Sequence, residues 1–456
     1  VVESQDFFGW SIAMDGRLAV VGAWQHGPFS TGEAFLIDIE TGAEIATLVP
    51  SDGGSGDNFG YSVAIDGDTV IVGSPWHTHG GLESGAAYVY NIAGASGEIT
   101  ETAKLIASDR GAFDLMGVSV ALSGGTAIVG AEGSESAHVF DVAGASGLLT
   151  ESAKLVASDS TFRFGAAVAI DDGIAIVGAP HGSAGSNPNG KAYVYDVTGA
   201  SGTITEAARL APSNGANGDQ FGASVAIEGG QALVAALRNE GDNGVRAGAV
   251  YLFDVDNVGG VVTETAMLLS SDGAPTDNFG RSIAVHGSTV IVGAQNAIRH
   301  PIMSGVAYQF SIADASQGDV ICEQAAFLPS DAATFEEYFG TSVAIDDGAV
   351  LIGAPGSIRL DNLGAVYRYR INADYPGVGM VVNHSKISAL SGGFQGPLGT
   401  NHSFGSAVAG IGDLDGDGID DLAVGASRNF VNGAYGAVWI LFMNADGSVR
   451  DERKFA

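Results

Sequence analysis

The chain has little cysteine, few basic side chains and no long apolar run. Its single cysteine, Cys322, excludes an internal disulfide framework. Only 19 lysines and arginines stand against 52 aspartates and glutamates, so the formal net charge is −33. A surface of that sign repels nucleic acid and anionic lipid, which are therefore not expected as partners. No apolar stretch approaches the ~18 residues that cross a bilayer, and we expect no membrane insertion.

Helical periodicity is also missing, and glycine is abundant instead. The 456 residues include 69 glycines, about twice the usual share. Because glycine adopts the positive φ angles of tight turns, so many glycines indicate a chain that reverses direction often. Short alternating segments between turns predict an all-β protein.

A repeated phrase organises the whole sequence. Phenylalanine (once methionine), glycine, a variable residue and an alternating "SVAI"-like segment recur at intervals of 48 to 65 residues. The eight repeats begin at Phe8, Phe59, Met116, Phe164, Phe221, Phe279, Phe339 and Phe404. Internal repeats of this length are typical of propellers and solenoids, so one repeat is expected to form one structural unit.

Each repeat contains four strand-like segments. In the second repeat they are "YSVAID" from Tyr61, "DTVIVGSP" from Asp68, "GAAYVYNI" from Gly85 and "ITETAKLIAS" from Ile99. The second segment is apolar on both faces, which predicts a strand covered on both sides. The last segment mixes polar and apolar residues, which predicts an outer edge protected from further pairing.

Eight four-stranded antiparallel sheets at this spacing predict a β-propeller. We expect residues 1–456 to form a single propeller domain with eight blades. A seven-bladed ring with the divergent last repeat outside it is the alternative. In either ring the repeated phenylalanines pack between blades, and the glycines beside them let backbones approach closely.

Several repeats combine the Phe-Gly pair with "GAP", or the variant "GSP", 14 positions later, as at Gly178, Gly353 and Gly73. This combination resembles the FG-GAP repeat of integrin α-subunit propellers, which related bacterial surface and secreted proteins share. The resemblance covers nearly the whole chain, and it implies a β-propeller in a secreted or cell-surface protein. Integrin propellers have seven blades, whereas this sequence contains eight repeats.

Aspartates crowd into one hairpin only, in the last repeat. In "DLDGDGIDD" the side chains of Asp413, Asp415, Asp417 and Asp421 occupy positions 1, 3, 5 and 9, and the carbonyl of Ile419 falls at position 7. Hard oxygen donors in this number favour Ca²⁺, which takes six to eight of them. An EF-hand would need glutamate at position 12, where this chain has valine. We therefore predict one structural calcium site, and the loop is similar to the calcium hairpin of integrin α-propellers.

Two weaker patterns contain acidic or histidine side chains. The phrases "SDGGSGDNFG" and "SDGAPTDNFG" place Asp57 and Asp277 before two of the blades, where capping of a turn is favoured over cation binding. The spacing of His77 and His79 suits Zn²⁺ with a third ligand such as Glu83, but a coincidence of loop residues is the favoured interpretation.

The loops of a propeller divide between two faces. The loops from strand two to strand three and from strand four to the next blade share one of them, which we call the variable face. Its loops differ in length and chemistry, whereas the loops from strand three to strand four are nearly copied. Aromatic and arginine side chains on exposed loops favour recognition of a ligand. The candidate ligand-binding residues are Trp24, His26, Trp76, His77, His79, His181, Arg238, Arg299, Arg359 and Arg428.

The sequence predicts a non-enzymatic, calcium-binding extracellular module that binds a protein or glycan ligand in adhesion. We expect it to be part of a larger secreted or cell-surface polypeptide. No nucleophile elbow, P-loop, zinc protease motif or dinucleotide fingerprint occurs, so no catalytic residue is assigned. Two alternatives stay open. One is a polysaccharide lyase or hydrolase that uses His77, His79 or His181, and the other is a passive structural module of a large adhesin.

Overall fold

The computed structural model describes residues 8–455 except 16, 27–29, 39–42, 80–81, 160, 181–189, 240–246, 257, 299–304, 330–337, 347–348, 357–363, 372–380, 390, 397, 399–402, 412, 416 and 427–436. Every regular element of the described chain is a β-strand. Accordingly, these residues contain no helix long and apolar enough to cross a membrane.

The strands form eight sheets, and each sheet contains four strands of one repeat in antiparallel order. The first strands are Phe8–Asp15, Ser62–Asp66, Met116–Ser123, Ala167–Asp171, Phe221–Glu228, Ser282–His286, Ser342–Asp346 and Phe404–Gly410. The second strands are Leu18–Ala23, Thr69–Ser74, Thr126–Ala131, Ile174–Ala179, Gln231–Ala236, Thr289–Ala294, Ala349–Ala354 and Leu422–Ala426. The third strands are Glu33–Asp38, Ala86–Asn91, Ser136–Asp141, Lys191–Asp196, Ala249–Asp254, Val306–Ser311, Ala365–Ile371 and Ala437–Met443. The fourth strands are Ala43–Val49, Ala103–Ile106, Ala153–Val156, Ala208–Leu210, Ala266–Leu269, Ala325–Phe327, Val381–Ile387 and Val449–Phe455. A small additional hairpin pairs Thr78–His79 with Leu82–Glu83.

Eight hydrophobic clusters decide the number of blades. Seven of them lie between consecutive sheets, from blades 1 and 2 to blades 7 and 8. The eighth joins the ends of the chain, because Val21 and Ile37 of blade 1 pack with Ala423 and Ile440 of blade 8. The last repeat is thus the eighth blade of a closed ring. The prediction of an all-β, eight-bladed propeller is confirmed, and the seven-bladed alternative is wrong.

The Phe-Gly and GAP glycines of neighbouring blades touch each other. A β-carbon on Gly73, in the second strand of blade 2, would lie 2.1 Å from the carbonyl oxygen of Gly117 in blade 3. The Ser62 hydroxyl donates a 2.8 Å hydrogen bond to the same oxygen. Phe59 is fully buried, and its ring packs edge-on to that of Tyr88 at 5.4 Å. The repeated motif is therefore a packing device between blades, as the sequence predicted.

The outer segment of the repeat divides into two strands that belong to different blades. In the second repeat Ala103–Ile106 is the fourth strand of its own blade, whereas Gly97–Thr100 pairs in parallel with Ala43–Val49 of blade 1. The prediction of an outer edge without further pairing is therefore wrong for blades 1 to 5. We call the added strands clasp strands, and they are Gly97–Thr100, Gly147–Thr150, Gly202–Thr205, Gly260–Val262 and Asp319–Cys322.

A glutamate after each clasp strand strengthens this link between blades. The carboxylate of Glu101 accepts hydrogen bonds from the Ser51 amide at 2.9 Å and from the Ser51 hydroxyl at 2.6 Å. The same contact occurs five times, in the pairs Ser51–Glu101, Ser108–Glu151, Ser158–Glu206, Ser213–Glu264 and Ser271–Glu323. The near-identical loops from strand three to strand four thus carry the clasp strands and their glutamates.

Candidate ligand-binding face and metal loop

Three aromatic rings meet where blades 1 and 2 reach the variable face. The ring centroids of Trp10 and Trp24 lie 5.8 Å apart, and those of Trp10 and Tyr61 are separated by the same distance. The rings of Trp24 and Tyr61 lie 6.2 Å apart at a steep angle. Trp10 remains 46% exposed although it touches both neighbours. These three residues, which we call the aromatic cluster, present a large apolar surface that is fixed by ring-to-ring packing.

The sequence pattern indicated Trp24 as a candidate, but not Trp10 or Tyr61. Both missed residues directly follow the glycine of the Phe-Gly pair. The strand pairing of blade 1 is irregular there, and in blade 2 the amides of Gly60 and Tyr61 both donate to the Gly73 carbonyl. In the other repeats this position holds valine, alanine, arginine, threonine or serine. Comparing that one position between repeats would have selected Trp10 and Tyr61 as candidates, but not their contact with Trp24.

A charged pair from blades 3 and 4 lies near the aromatic cluster. The guanidinium of Arg163 donates two hydrogen bonds to the carboxylate of Glu132, at 2.9 and 2.8 Å. Burial and the Glu132 carboxylate raise the pKa of the Tyr61 hydroxyl, and Arg163 opposes that rise. The variable face therefore combines the aromatic cluster with the Arg163–Glu132 pair, whose charges act on Tyr61 of that cluster.

His77 belongs to a buried polar network and is not presented on the surface. Its side chain is 3% exposed, and its Nδ1 lies 2.6 Å from a carboxylate oxygen of Asp57. Its Nε2 lies 2.6 Å from the Nζ of Lys104, which in turn donates to Asp52 at 2.5 Å. The Tyr88 hydroxyl donates to the other oxygen of Asp52 at 3.0 Å. Both ring nitrogens of His77 are thus engaged, so the prediction that it lines an exposed ligand surface is wrong.

The Asp52, His77 and His79 side chains offer three possible metal ligands within 4.8 Å of one another. Among the described residues, the third group beside the two histidines is therefore Asp52 rather than Glu83. The ammonium group of Lys104 lies against both Asp52 and His77. A cationic side chain thus holds the place that a metal would need.

Replacing His77 with alanine is expected to lower the free energy of unfolding by about 2–4 kcal/mol, because Asp57 and Lys104 lose their buried partner. Chemical denaturation of both proteins measures the difference. His79→Ala is the matched control, since its ring is partly exposed, and its effect is expected within about 0.5 kcal/mol. An H77A protein as stable as the wild type would contradict the bracing role of this network.

In several blades an aspartate two residues before the Phe-Gly pair caps a turn, as the sequence favoured for Asp57 and Asp277. Asp57 accepts the amide of Gly54 at 2.7 Å, and Asp277 accepts the amide of Ala274 at 2.8 Å. Asp219 makes the same contact with Ala216. These carboxylates order the loops that lead into the blades on the variable face.

The acidic hairpin of blade 8 brings three carboxylates together. Oxygens of Asp413, Asp415 and Asp417 lie within 4.8 Å of one another, and all three residues are exposed. Asp413 accepts the amides of Asp417 and Gly418 at 3.0 and 2.7 Å, which curls the loop around the cluster. Gly418 has a φ of 85°, which permits that curl. A hard divalent cation fits this donor set.

Two further groups complete the loop. Asp421 is buried, and its oxygens accept the amides of Leu414 at 3.0 Å and Met443 at 2.8 Å. Burial raises the pKa of Asp421 to about 6 although both amides lower it. The guanidinium of Arg450 pairs with Asp415 and Asp417. In this conformation Asp421 anchors the loop to the sheet, and Arg450 neutralises part of the charge that a cation would neutralise.

The other candidate residues of the variable face have different environments. His26 is 8% exposed, packs edge-on to Phe35 and lies 3.0 Å from a carboxylate oxygen of Glu33, so its placement on the exposed rim is wrong. Trp76 and Arg238 are exposed, and His79 is partly buried. Burial and nearby Lys104 lower the pKa of His79. The candidates outside the described residues are His181, Arg299, Arg359 and Arg428.

Comparison with known proteins agrees with the repeat structure. A model of the FG-GAP repeat matches residues 2–37, 43–90, 99–145, 149–195, 204–253, 262–310 and 322–369, and a second FG-GAP repeat model matches residues 404–441. Integrin alpha-PS5 of Drosophila melanogaster is 35% identical over 118 residues. That stretch is 25% of this chain and 11% of the length of the integrin. The solved structure of Kluyveromyces lactis Hsv2 is 10% identical, with a TM-score of 0.46 over 80% of this chain and 94% of that one.

The matched segments together cover well over half of the chain, and each contains the first two strands and most or all of the third strand of one blade, preceded in six of them by the fourth strand of the blade before. Each match contains the Phe-Gly pair of one repeat, or the Met-Gly pair in the third repeat. The chain therefore belongs to the FG-GAP repeat family.

Proposed function

We propose that this propeller is an extracellular, non-enzymatic binding module that holds a neutral glycan on its variable face. The observation that carries the proposal is the aromatic cluster of Trp10, Trp24 and Tyr61, in which Trp10 is 46% exposed and the other two rings are partly exposed. Ligand sites combine apolar and aromatic surface with a few placed polar groups. The Arg163–Glu132 pair is the nearby polar group that meets this description.

The charge of the protein favours an uncharged ligand. The net charge of −33 repels anionic polysaccharides at long range. Arg163 attracts an anion only weakly, because Glu132 already binds its guanidinium through two hydrogen bonds. The apolar faces of pyranose rings stack on aromatic side chains. Their hydroxyl groups accept hydrogen bonds from an arginine and donate hydrogen bonds to a glutamate. A protein ligand with an exposed apolar side chain is the second candidate for the same surface.

The geometry around the histidines supports binding over catalysis. A general base must reach the proton that it removes, whereas His77 is buried and its two nitrogens contact Asp57 and Lys104. The calcium site that we propose at Asp413, Asp415 and Asp417 lies in a hairpin between first and second strands, away from the variable face. Its proposed role is to order blade 8, which closes the ring against blade 1.

Substituting Trp10 and Trp24 with alanine is expected to weaken glycan binding at least about 100-fold, since stacked aromatic contacts dominate such sites. The measurement is a glycan array, followed by calorimetry with the strongest neutral glycan, in calcium buffer. Phe113→Ala is the matched control, because Phe113 is an exposed aromatic residue outside the cluster. Its affinity is expected to be that of the wild type.

Three outcomes would contradict the proposed function. If wild-type protein binds no glycan and no protein ligand, the passive structural module is the better interpretation. If incubation shortens the glycan and His79→Ala abolishes the cleavage, the protein is a polysaccharide-degrading enzyme. If W10A/W24A binds as tightly as the wild type, the ligand occupies another surface.

A further inference from the structure

One buried position of the third strand differs between the blades. Leu36 in blade 1, Val89 in blade 2 and Leu252 in blade 5 occupy it, and each packs against the following blade. In blades 1, 2 and 5 the residue at this position pairs with the third residue of the apolar second strand. In blade 8, whose second strand is one residue shorter, Ile440 pairs with the second residue, Ala423. Six of the eight blades have an aliphatic residue there, and the set is Leu36, Val89, Val139, Val194, Leu252 and Ile440. The other two blades have a polar residue there: Gln309 in blade 6, paired with Ile291, and Arg368 in blade 7, paired with Leu351.

Arg368 is buried without a complete set of partners. It is 6% exposed, and its Nε has no hydrogen-bond acceptor among the described residues. Burial, and the like charge of Arg370 two residues along the same strand, lower the pKa of Arg368. The charges of Asp420 and Asp421 oppose this shift, and the oxygens of Asp421 accept the amides of Leu414 and Met443.

A second unsatisfied donor faces the same space. Ser385 lies opposite Arg368 on the fourth strand of blade 7, and its buried hydroxyl has no partner among the described residues. Both line a small, partly open pocket of about 10 Å³, and its other lining residues are Arg370, His384, Ala445 and Gly447. A β-carbon on Gly447 would lie 2.8 Å from the Ser385 hydroxyl oxygen. The cavity has the room of one water molecule or one monatomic ion.

We propose that this pocket between blades 7 and 8 binds a monatomic anion, with chloride as the physiological ligand. The Arg368 Nε–H and the Ser385 hydroxyl donate hydrogen bonds to the ion. A buried guanidinium with an unsatisfied donor is unfavourable, and a bound anion satisfies the donor and offsets the charge, whereas a water molecule satisfies the donor only. The small volume of the pocket favours a monatomic anion over phosphate or sulfate. The ion joins blade 7 to the turn of blade 8 that begins at Met443, whose amide binds Asp421 of the acidic hairpin.

Crystals of the full chain grown in sodium bromide test the proposal directly. Bromide scatters anomalously, and we expect a peak within hydrogen-bonding distance of Arg368 Nε and the Ser385 hydroxyl. Arg368→Leu, which introduces the residue that blade 5 has at this position, is expected to abolish the peak. A water molecule in the pocket of the bromide crystal, or a peak that survives in the R368L protein, would overturn the proposal.

Thermal unfolding provides an independent measurement in solution. At one ionic strength and one calcium concentration, sodium chloride is expected to raise the Tm of the wild type above its value in sodium gluconate. The difference is expected to disappear in R368L and to persist in Arg281→Leu, which removes an exposed arginine from blade 6. If R368L does not fold, Ser385→Ala replaces it, with a reduced chloride effect expected. Equal chloride effects in the wild type and the pocket variants would also reject the site.

Discussion

Replacing Gly73 with alanine is expected to destabilise the propeller by about 3 kcal/mol, the upper range for overpacking a rigid core. The added β-carbon would lie 2.1 Å from the carbonyl oxygen of Gly117 and 2.3 Å from the hydroxyl oxygen of Ser62. The carbonyl belongs to the backbone of the next blade, so relief requires that two blades separate. Denaturant unfolding monitored by tryptophan fluorescence measures the loss.

The control for this substitution is Gly259→Ala. A β-carbon at Gly259 meets only one atom within 4 Å, the Ala207 carbonyl oxygen at 3.9 Å. The substitution also reduces the conformational entropy of the unfolded chain, so a change between zero and about 1 kcal/mol of added stability is expected. If G73A and G259A have the same stability, the close contact between Phe-Gly and GAP glycines is not what limits the packing of the blades.

Removal of calcium is expected to produce the second large effect. A ligand that binds only the folded state at 100 times its Kd stabilises that state by about 2.7 kcal/mol. Chelation should therefore lower the Tm of the wild type, and Asp415→Asn should lower it in calcium buffer while making it insensitive to the chelator. Asp415 is the informative position because its carboxylate lies with those of Asp413 and Asp417 at the centre of the hairpin.

Asp420→Asn is the control that distinguishes loss of a calcium ligand from the loss of one negative charge in the hairpin. Asp420 lies in the same hairpin, and its alternation predicts that it points away from the other carboxylates. The variant should keep the full calcium response, and isothermal calorimetry should give one site per chain for it and for the wild type. If D415N responds to calcium as the wild type does, the acidic hairpin is not the calcium site.

The fold was largely predictable because the sequence patterns that specify it depend on residues close together in the chain. Alternation within a strand, a two-residue turn such as Gly67-Asp68 and a phrase that returns eight times each depend on neighbouring residues. The acidic hairpin has the same property, since Asp413 and Asp417 approach each other through a turn of a few residues. These features could be assigned to the correct repeat, although the alternation could not decide whether eight or seven blades close the ring.

The clasp strands could not be predicted in the same way. Gly97–Thr100 continues directly toward Ala103–Ile106 in the sequence, and a single extended segment satisfies the same pattern of residues. Its partner Ala43–Val49 lies in another repeat, so the pairing depends on how two blades are placed side by side. The same limit applies to His77. Its loop position predicts an exposed side chain, but contacts with Lys104 and Asp57 from other parts of the chain bury it.

The order of residues thus set the number of repeats, the strands within each blade and the acidic hairpin, because hydrogen bonds and turns act over short stretches of chain. Ring closure between blades 1 and 8, the aromatic cluster and the buried Arg368 arose from contacts between distant residues. Burial and the meeting of side chains are properties of packed surfaces, which no local pattern contains.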